Sequence, residues 1–156
     1  MSGYDYASAI TGCTTDVHGR FALRGPSFEM LADGSVASGG PGRAPGPLDL
    51  LVSALVANLL NVLHDGQLVD TGPRGDAADE DRDAVRRDVQ VRARVTRYPA
   101  GRLKVGLLTV DVRIGGHDDA STRRLLADYR NGCRVLPAVE TVVDVALQPA
   151  ASDAAA

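Results

Sequence analysis

From Leu48 to Leu63 nearly every residue is aliphatic or small, and this stretch is introduced by the stiff turn Ala44-Pro45-Gly46-Pro47. Pro47 suits a first helical position, where its missing N–H would be unpaired anyway, and Asp49 in the first turn complements the positive end of the helix dipole. The pattern predicts a core helix reaching His64 and buried on most sides rather than along one stripe. Polar residues inside such a helix are the informative ones. At about 100° per residue, Asp49, Ser53 and His64 share one side, while Asn58 falls roughly opposite with Asn61 about 60° from it. A buried amide left without partners costs about 1–3 kcal/mol. Asn58 must therefore meet a polar group, a water or a ligand, and from the residues alone it reads first as a hydrogen-bonded core asparagine.

Period-two alternation marks strands on either side of the helix. Arg20–Arg24 and Ser27–Leu31 alternate and are punctuated by Gly25-Pro26 and Asp33-Gly34, which predicts a short N-terminal β-meander. The Gly-rich run from Ser38 to Arg43 forms a loop into the helix. Val89 to Tyr98 alternates strictly, with Val89, Val91, Ala93 and Val95 inward and the arginines outward. Pro99 to Arg102 is a turn, and Leu103 to Ile114 supplies the antiparallel hairpin partner. Ser121 or Thr122 is expected to cap a second helix carrying Leu125, Leu126 and Tyr129, which Gly132 stops. Thr141 to Leu147 is a last strand. Strands, a long helix, a hairpin, a second helix and a final strand make an α+β class. The expectation is a single domain over residues 1–150 with a disordered tail at 151–156. The charged run from Asp76 to Asp88 has too few apolar residues to bury much surface and is expected to be a solvated loop.

Composition narrows the function classes. A formal net charge of −3 over 156 residues argues against nucleic acid as a main partner. No basic segment followed by an apolar run opens the sequence, so a cytoplasmic location is expected. Asn58 and Asn61 interrupt the best candidate for a membrane span, which needs roughly 20 apolar residues. Two cysteines, Cys13 and Cys133, are expected to be free thiols in a reducing compartment. The histidines His18, His64 and His117 lack carboxylate or thiol neighbours at ligand spacing, so no metal is expected. The Gly-rich loop lacks the strand and lysine of a phosphate loop, and no cofactor is expected.

The turn Ala44-Pro45-Gly46-Pro47-Leu48-Asp49 followed by an apolar helix resembles the signature of the OsmC/Ohr family of thiol-dependent hydroperoxide reductases. That signature reads Gly-Pro-x-Pro-x-Glu; here Ala stands for Gly and Asp for Glu. Asn58 occupies the position, eleven residues after Pro47, where the family carries its peroxide-attacking cysteine. Gly132-Cys133-Arg134-Val135-Leu136-Pro137 is similar to the segment of the family's second cysteine, with Arg134 in place of a proline. The likeness in order and spacing runs from Gly19 to Gln148. It implies an OsmC-like fold, with a curved antiparallel sheet against two helices, and an intertwined homodimer with sites at the interface.

In that family an arginine and a glutamate hold the first cysteine as thiolate, and the second cysteine closes a disulfide. Arg43 is the nearest candidate for the arginine, with Arg20 as an alternative. Asp49 aligns with the acid, although its side of the helix lies away from Asn58 and favours capping. Asn58 is neither nucleophilic nor ionisable, so the two-cysteine cycle is not expected to run. Two readings follow. One is a pocket around Asn58 and Asn61 that binds a small hydrophobic or thiol-bearing molecule. The other is a hydroperoxide reductase using Cys133 as its single thiol, with a cellular thiol resolving the sulfenic acid. Against the second stands the ordinary behaviour of a small buried cysteine, which is packing.

Overall fold

The computed structural model describes residues 9–64 and 89–151, so the charged run at 76–88 and the tail from 152 lie outside the described residues. The chain divides into two compact units, Met1–Val52 and Ser53–Ala156, with the division inside the long helix.

The first unit holds β1 (Thr11–Thr14), β2 (Arg20–Arg24) and β3 (Glu29–Asp33), paired antiparallel in that order. Strands β2 and β3 fall where alternation places the meander. Strand β1 has no apolar alternation to announce it; all four residues are exposed, and backbone pairing with β2 defines it, Thr14 facing Phe21 and Cys13 facing Ala22. At the end of β3 sits Asp33, only 1% exposed. Its Oδ1 accepts Arg20 Nε at 2.9 Å, and its Oδ2 accepts Arg20 Nη2 at 3.1 Å and the backbone N–H groups of Arg43 and Ala44 at 2.7 and 2.9 Å. One carboxylate thus ties the Gly-rich loop to the sheet edge just before the long helix starts.

The Arg20 hydrogen bonds, joined by the two backbone donors, hold the Asp33 carboxyl well below the usual carboxylate range in spite of its burial. Because the folded value lies below the unfolded one, the stabilisation is fully present above an ordinary value of 3.8 and is lost as the pH falls below it. Urea midpoints measured from pH 6 to pH 2 are therefore expected to fall more steeply for the native chain than for Asp33→Asn, which should be less stable at pH 6 and flatter below pH 4.

Helix α1 (Pro47–His64) begins as the turn predicts. Asp49 Oδ2 accepts the Gly46 N–H at 2.9 Å, which satisfies one of the donors a helix start leaves unpaired. Burial of the helix differs from the expectation. Leu55, Leu59 and Leu63, one stripe at four-residue spacing, are buried, whereas Ser53, Ala54, Ala57 and Asn61 are exposed in the single chain. The apolar composition runs all round the helix, but one chain covers only part of it.

The second unit holds β4 (Val89–Arg97), β5 (Gly106–Ile114), α2 (Asp119–Gly132), α3 (Leu136–Glu140) and β6 (Asp144–Pro149), with strand order β4-β5-β6. The hairpin pairs Val89 with Ile114 through to Arg97 with Gly106, and β6 joins β5 in parallel, so this sheet is mixed rather than wholly antiparallel. Strand β5 starts at Gly106, later than the alternation from Leu103 suggests. A Cβ at Gly106 would stand 2.3 Å from the Thr96 carbonyl oxygen, so this end of the pairing is built on a residue without a side chain. On β5, Leu108, Val110, Val112 and Ile114 are buried, and with Leu126, Tyr129, Leu136, Val139 and Val143 they form the core of this unit.

Three local expectations change. Asp118, not Ser121 or Thr122, is the N-cap of α2, its Oδ1 accepting the Ser121 N–H at 2.7 Å. Gly132 is the last residue of α2, but the chain leaves through Cys133 in an extended conformation, without a left-handed glycine. Residues Leu136–Glu140 form the short α3, with Pro137 in its first turn, where a missing N–H costs nothing; this delays β6 to Asp144.

Candidate functional site

Two helices and the link between α2 and α3 bring the site together. The Arg130 guanidinium bonds Glu140 of α3 at 2.5 Å and the Val145 carbonyl of β6 at 2.9 Å, which anchors the end of α2 and the turn that carries Cys133. The Cys133 N–H completes the helix by bonding the Tyr129 carbonyl at 2.8 Å.

Cys133 and Tyr129, one helical turn apart, both face Asn58 of α1. Tyr129 Oη donates to Asn58 Oδ1 at 2.8 Å, and Cys133 Sγ donates to the same oxygen at 3.1 Å. The Cys133 sulfur also accepts the Leu136 N–H at 3.2 Å. Tyr129 is 1% exposed; Asn58 and Cys133 are half-buried. Burial first, and then the neighbouring Cys133, push the Tyr129 hydroxyl far above its ordinary value, so it stays a proton donor throughout the working pH range.

The sequence thus correctly requires a polar partner for Asn58, and the structure supplies two. Tyr129 is recognisable from the sequence only as a core residue at helical spacing. The available signal is that a buried tyrosine hydroxyl needs a hydrogen-bond partner.

The other candidates lie elsewhere in the chain's chemistry. Asn61 is exposed and lines an open hollow of about 440 Å3 with Ala57, Leu60 and Val89. Asp49 is the helix cap already described. Arg43 is exposed and enters the structure through its backbone N–H on Asp33, while Arg20 is committed to the same carboxylate. Arg134 is exposed beside Cys133. Cys13 and Cys133 are both free thiols, Cys13 exposed on β1. Among the described residues no group of three or more His, Cys, Asp or Glu is placed to hold a metal ion, and no helix is long and apolar enough to cross a membrane.

No family model and no curated protein matches the sequence. Solved structures do. An organic hydroperoxide resistance protein OsmC from Legionella pneumophila superposes with a TM-score of 0.66 at 17% identity, over 95% of this chain and 99% of that one. This is the OsmC fold. An OsmC-like protein from Mycoplasma pneumoniae gives 0.61 at 13% identity, over 94% and 99% of the two chains. An OsmC-like protein of Vibrio cholerae gives 0.51 at 14% identity, over 94% and 99%. The OsmC fold therefore spans nearly the whole chain, as the turn and helix suggest, and at these identities the likeness is one of fold.

Proposed function

We propose that this chain keeps the OsmC scaffold but has exchanged the two-cysteine peroxide cycle for binding of a small hydrophobic or thiol-bearing molecule next to Asn58. The observation that carries the reading is the 3.1 Å contact between Asn58 Oδ1 and Cys133 Sγ. Residue 58 stands where a thiol would have to stand to close a disulfide with Cys133, and it is an amide. An amide oxygen accepts hydrogen bonds but does not attack a peroxide, and it gives Cys133 no sulfur to resolve against. Cys133 in turn serves three neighbours as a structural group: its sulfur accepts one backbone N–H, its proton goes to Asn58, and its own N–H ends α2.

A stoichiometric reaction tests this directly. After exposure to one equivalent of cumene hydroperoxide and trapping of sulfenic acid with a dimedone probe, intact-peptide mass spectrometry is expected to find Cys133 unmodified. A labelled Cys133 would support the single-thiol reductase instead.

The same reading makes the protein a homodimer. An apolar helix of which one chain buries only the Leu55, Leu59 and Leu63 stripe leaves Ala54 and Ala57 uncovered, and a second copy is the occupant that the OsmC scaffold implies. Sedimentation equilibrium is expected to give twice the chain mass of 16.3 kDa, and a stable monomer would contradict it.

A further inference from the structure

The first unit has a hollow of its own, of about 420 Å3, between the turn that joins β1 to β2 and the loop that follows β3. Its frame is firm because glycines let backbone meet backbone. The Gly34 N–H bonds the Gly19 carbonyl at 2.7 Å, and the Gly40 N–H bonds the Ser35 carbonyl at 3.0 Å. A Cβ at Gly19 would stand 2.7 Å from the Gly40 Cα, and one at Gly40 would stand 2.3 Å from the Gly34 carbonyl oxygen, so neither place admits a side chain. Thr15 fastens the turn, its Oγ1 donating to the Arg20 carbonyl at 3.1 Å.

The side chains along this hollow are of two kinds. Phe21 gives a flat apolar wall that is 38% exposed, and Thr14, its partner across β1 and β2, stands beside it on the same face of the sheet. The others are hydrogen-bonding groups. His18 lies over Gly39, where a Cβ would be 3.5 Å from its Nε2, and Ser35 and Ser38 flank the single 3-10 turn Val36–Ser38. The side chains of Thr14, His18, Ser35 and Ser38 make no hydrogen bond to any described residue. Arg20, the one Arg, Lys, Asp or Glu along the hollow, is committed through Nε and Nη2 to Asp33.

We infer that this hollow is a binding site for an uncharged sugar ring, with its apolar C–H face on Phe21 and its hydroxyls on Thr14, His18, Ser35 and Ser38. A hydroxyl both donates and accepts, and an imidazole donates at one nitrogen and accepts at the other. Ligand hydroxyls match both halves of that capacity, whereas a carbonyl only accepts and an ammonium only donates. A charged ligand finds no free counter-charge here, since the Arg20 guanidinium is already neutralised by Asp33, and so would lose hydration without return. The volume falls in the range of small-molecule sites, roughly 300–1,000 Å3.

All these residues lie in the first unit, so the site is tested independently of binding at Asn58. The probes are the methyl pyranosides of glucose, galactose and mannose, with cyclohexylmethanol as a ring lacking the hydroxyls and methyl glucuronide as a charged sugar. With the full-length protein, at least one of the three neutral pyranosides is expected to bind with a millimolar dissociation constant. It is expected to show saturation transfer from the Phe21 ring protons and to shift the amide signals of Gly34, Ser35 and Gly40. Cyclohexylmethanol and methyl glucuronide should bind at least about tenfold more weakly. Phe21→Ala should lower the pyranoside affinity about tenfold. Ser35 and Ser38 are exposed, so the double variant Ser35→Ala/Ser38→Ala keeps the fold and should show a similar loss even if Phe21→Ala misfolds. Binding of none of the three pyranosides at tens of millimolar would overturn the inference. So would equal binding of cyclohexylmethanol, tighter binding of methyl glucuronide, or unchanged pyranoside affinity in the double variant.

Discussion

Asn58→Cys is expected to form a disulfide with Cys133 on mild oxidation and to reduce hydroperoxide faster than the native chain. The native Cys133 sulfur already touches the residue 58 side chain at 3.1 Å, and α1 and the end of α2 are both held in place, Leu59 being fully buried and Arg130 bonded to α3 and β6. A cysteine side chain is shorter than asparagine by about one bond, so its sulfur falls near the amide carbon. Rotation about the Cα–Cβ bonds of both residues then has to bring the two sulfurs to bonding distance, about 2.05 Å.

The reaction balances in the usual way for two thiols. The thiol that the substitution introduces, as thiolate, takes the terminal oxygen of ROOH, becoming a sulfenic acid and releasing ROH once a proton is supplied. The Cys133 thiol then displaces water to give the disulfide, which an added dithiol reduces. Peptide mapping after diamide treatment is expected to recover the α1 peptide of the variant linked to the peptide that carries Cys133, and turnover with dithiothreitol should rise at least about tenfold above background. A correctly folded variant in which both thiols stay free would show that residue 58 is not the counterpart of the family's first cysteine. Disulfide formation without turnover would place the missing element in the groups that ionise a thiol.

Tyr129 carries the largest expected loss of stability within the site. Its ring is 1% exposed and its hydroxyl bonds the Asn58 oxygen at 2.8 Å. Tyr129→Ala is expected to cost about 3–5 kcal/mol, the range for deleting a buried aromatic ring and leaving a cavity. That is a large share of the roughly 5–15 kcal/mol that holds a typical domain folded. Tyr129→Phe keeps the ring and removes one hydrogen bond, an effect of about 0.5–1.5 kcal/mol. Asn58 then still has the Cys133 proton, so the oxygen is not orphaned. Guanidinium unfolding of the three proteins separates the two contributions. A loss in Tyr129→Phe as large as that in Tyr129→Ala would mean that the hydroxyl, and not the ring, holds α2 against α1.

The sequence makes α1 and its cap legible because the signals are local: Pro47 at a first helical position, Asp49 in the first turn, and a long, mostly apolar run. Strand β4 is legible for the same kind of reason, with Val89, Val91, Ala93 and Val95 more buried than the residues between them. Strand β1 is not, since Thr11 to Thr14 owe their conformation to pairing with β2 and bury nothing themselves. Asp118 escapes notice as the cap of α2 because Asp118, Ser121 and Thr122 are all residues that cap well, and only the geometry chooses among them. The site divides along similar lines. Asn58 stands out as an amide in an apolar helix, and the spacing from Pro47 marks its position. Its partners Tyr129 and Cys133 lie 71 and 75 residues away along the chain, a separation that no local pattern spans.

Steady-state consumption of cumene hydroperoxide with dithiothreitol, compared between the native chain and Cys133→Ser, decides whether this OsmC scaffold still runs peroxide chemistry. No turnover above the uncatalysed rate is expected in either protein. Turnover by the native chain that disappears in Cys133→Ser would contradict it and make Cys133 the active thiol of a one-cysteine hydroperoxide reductase.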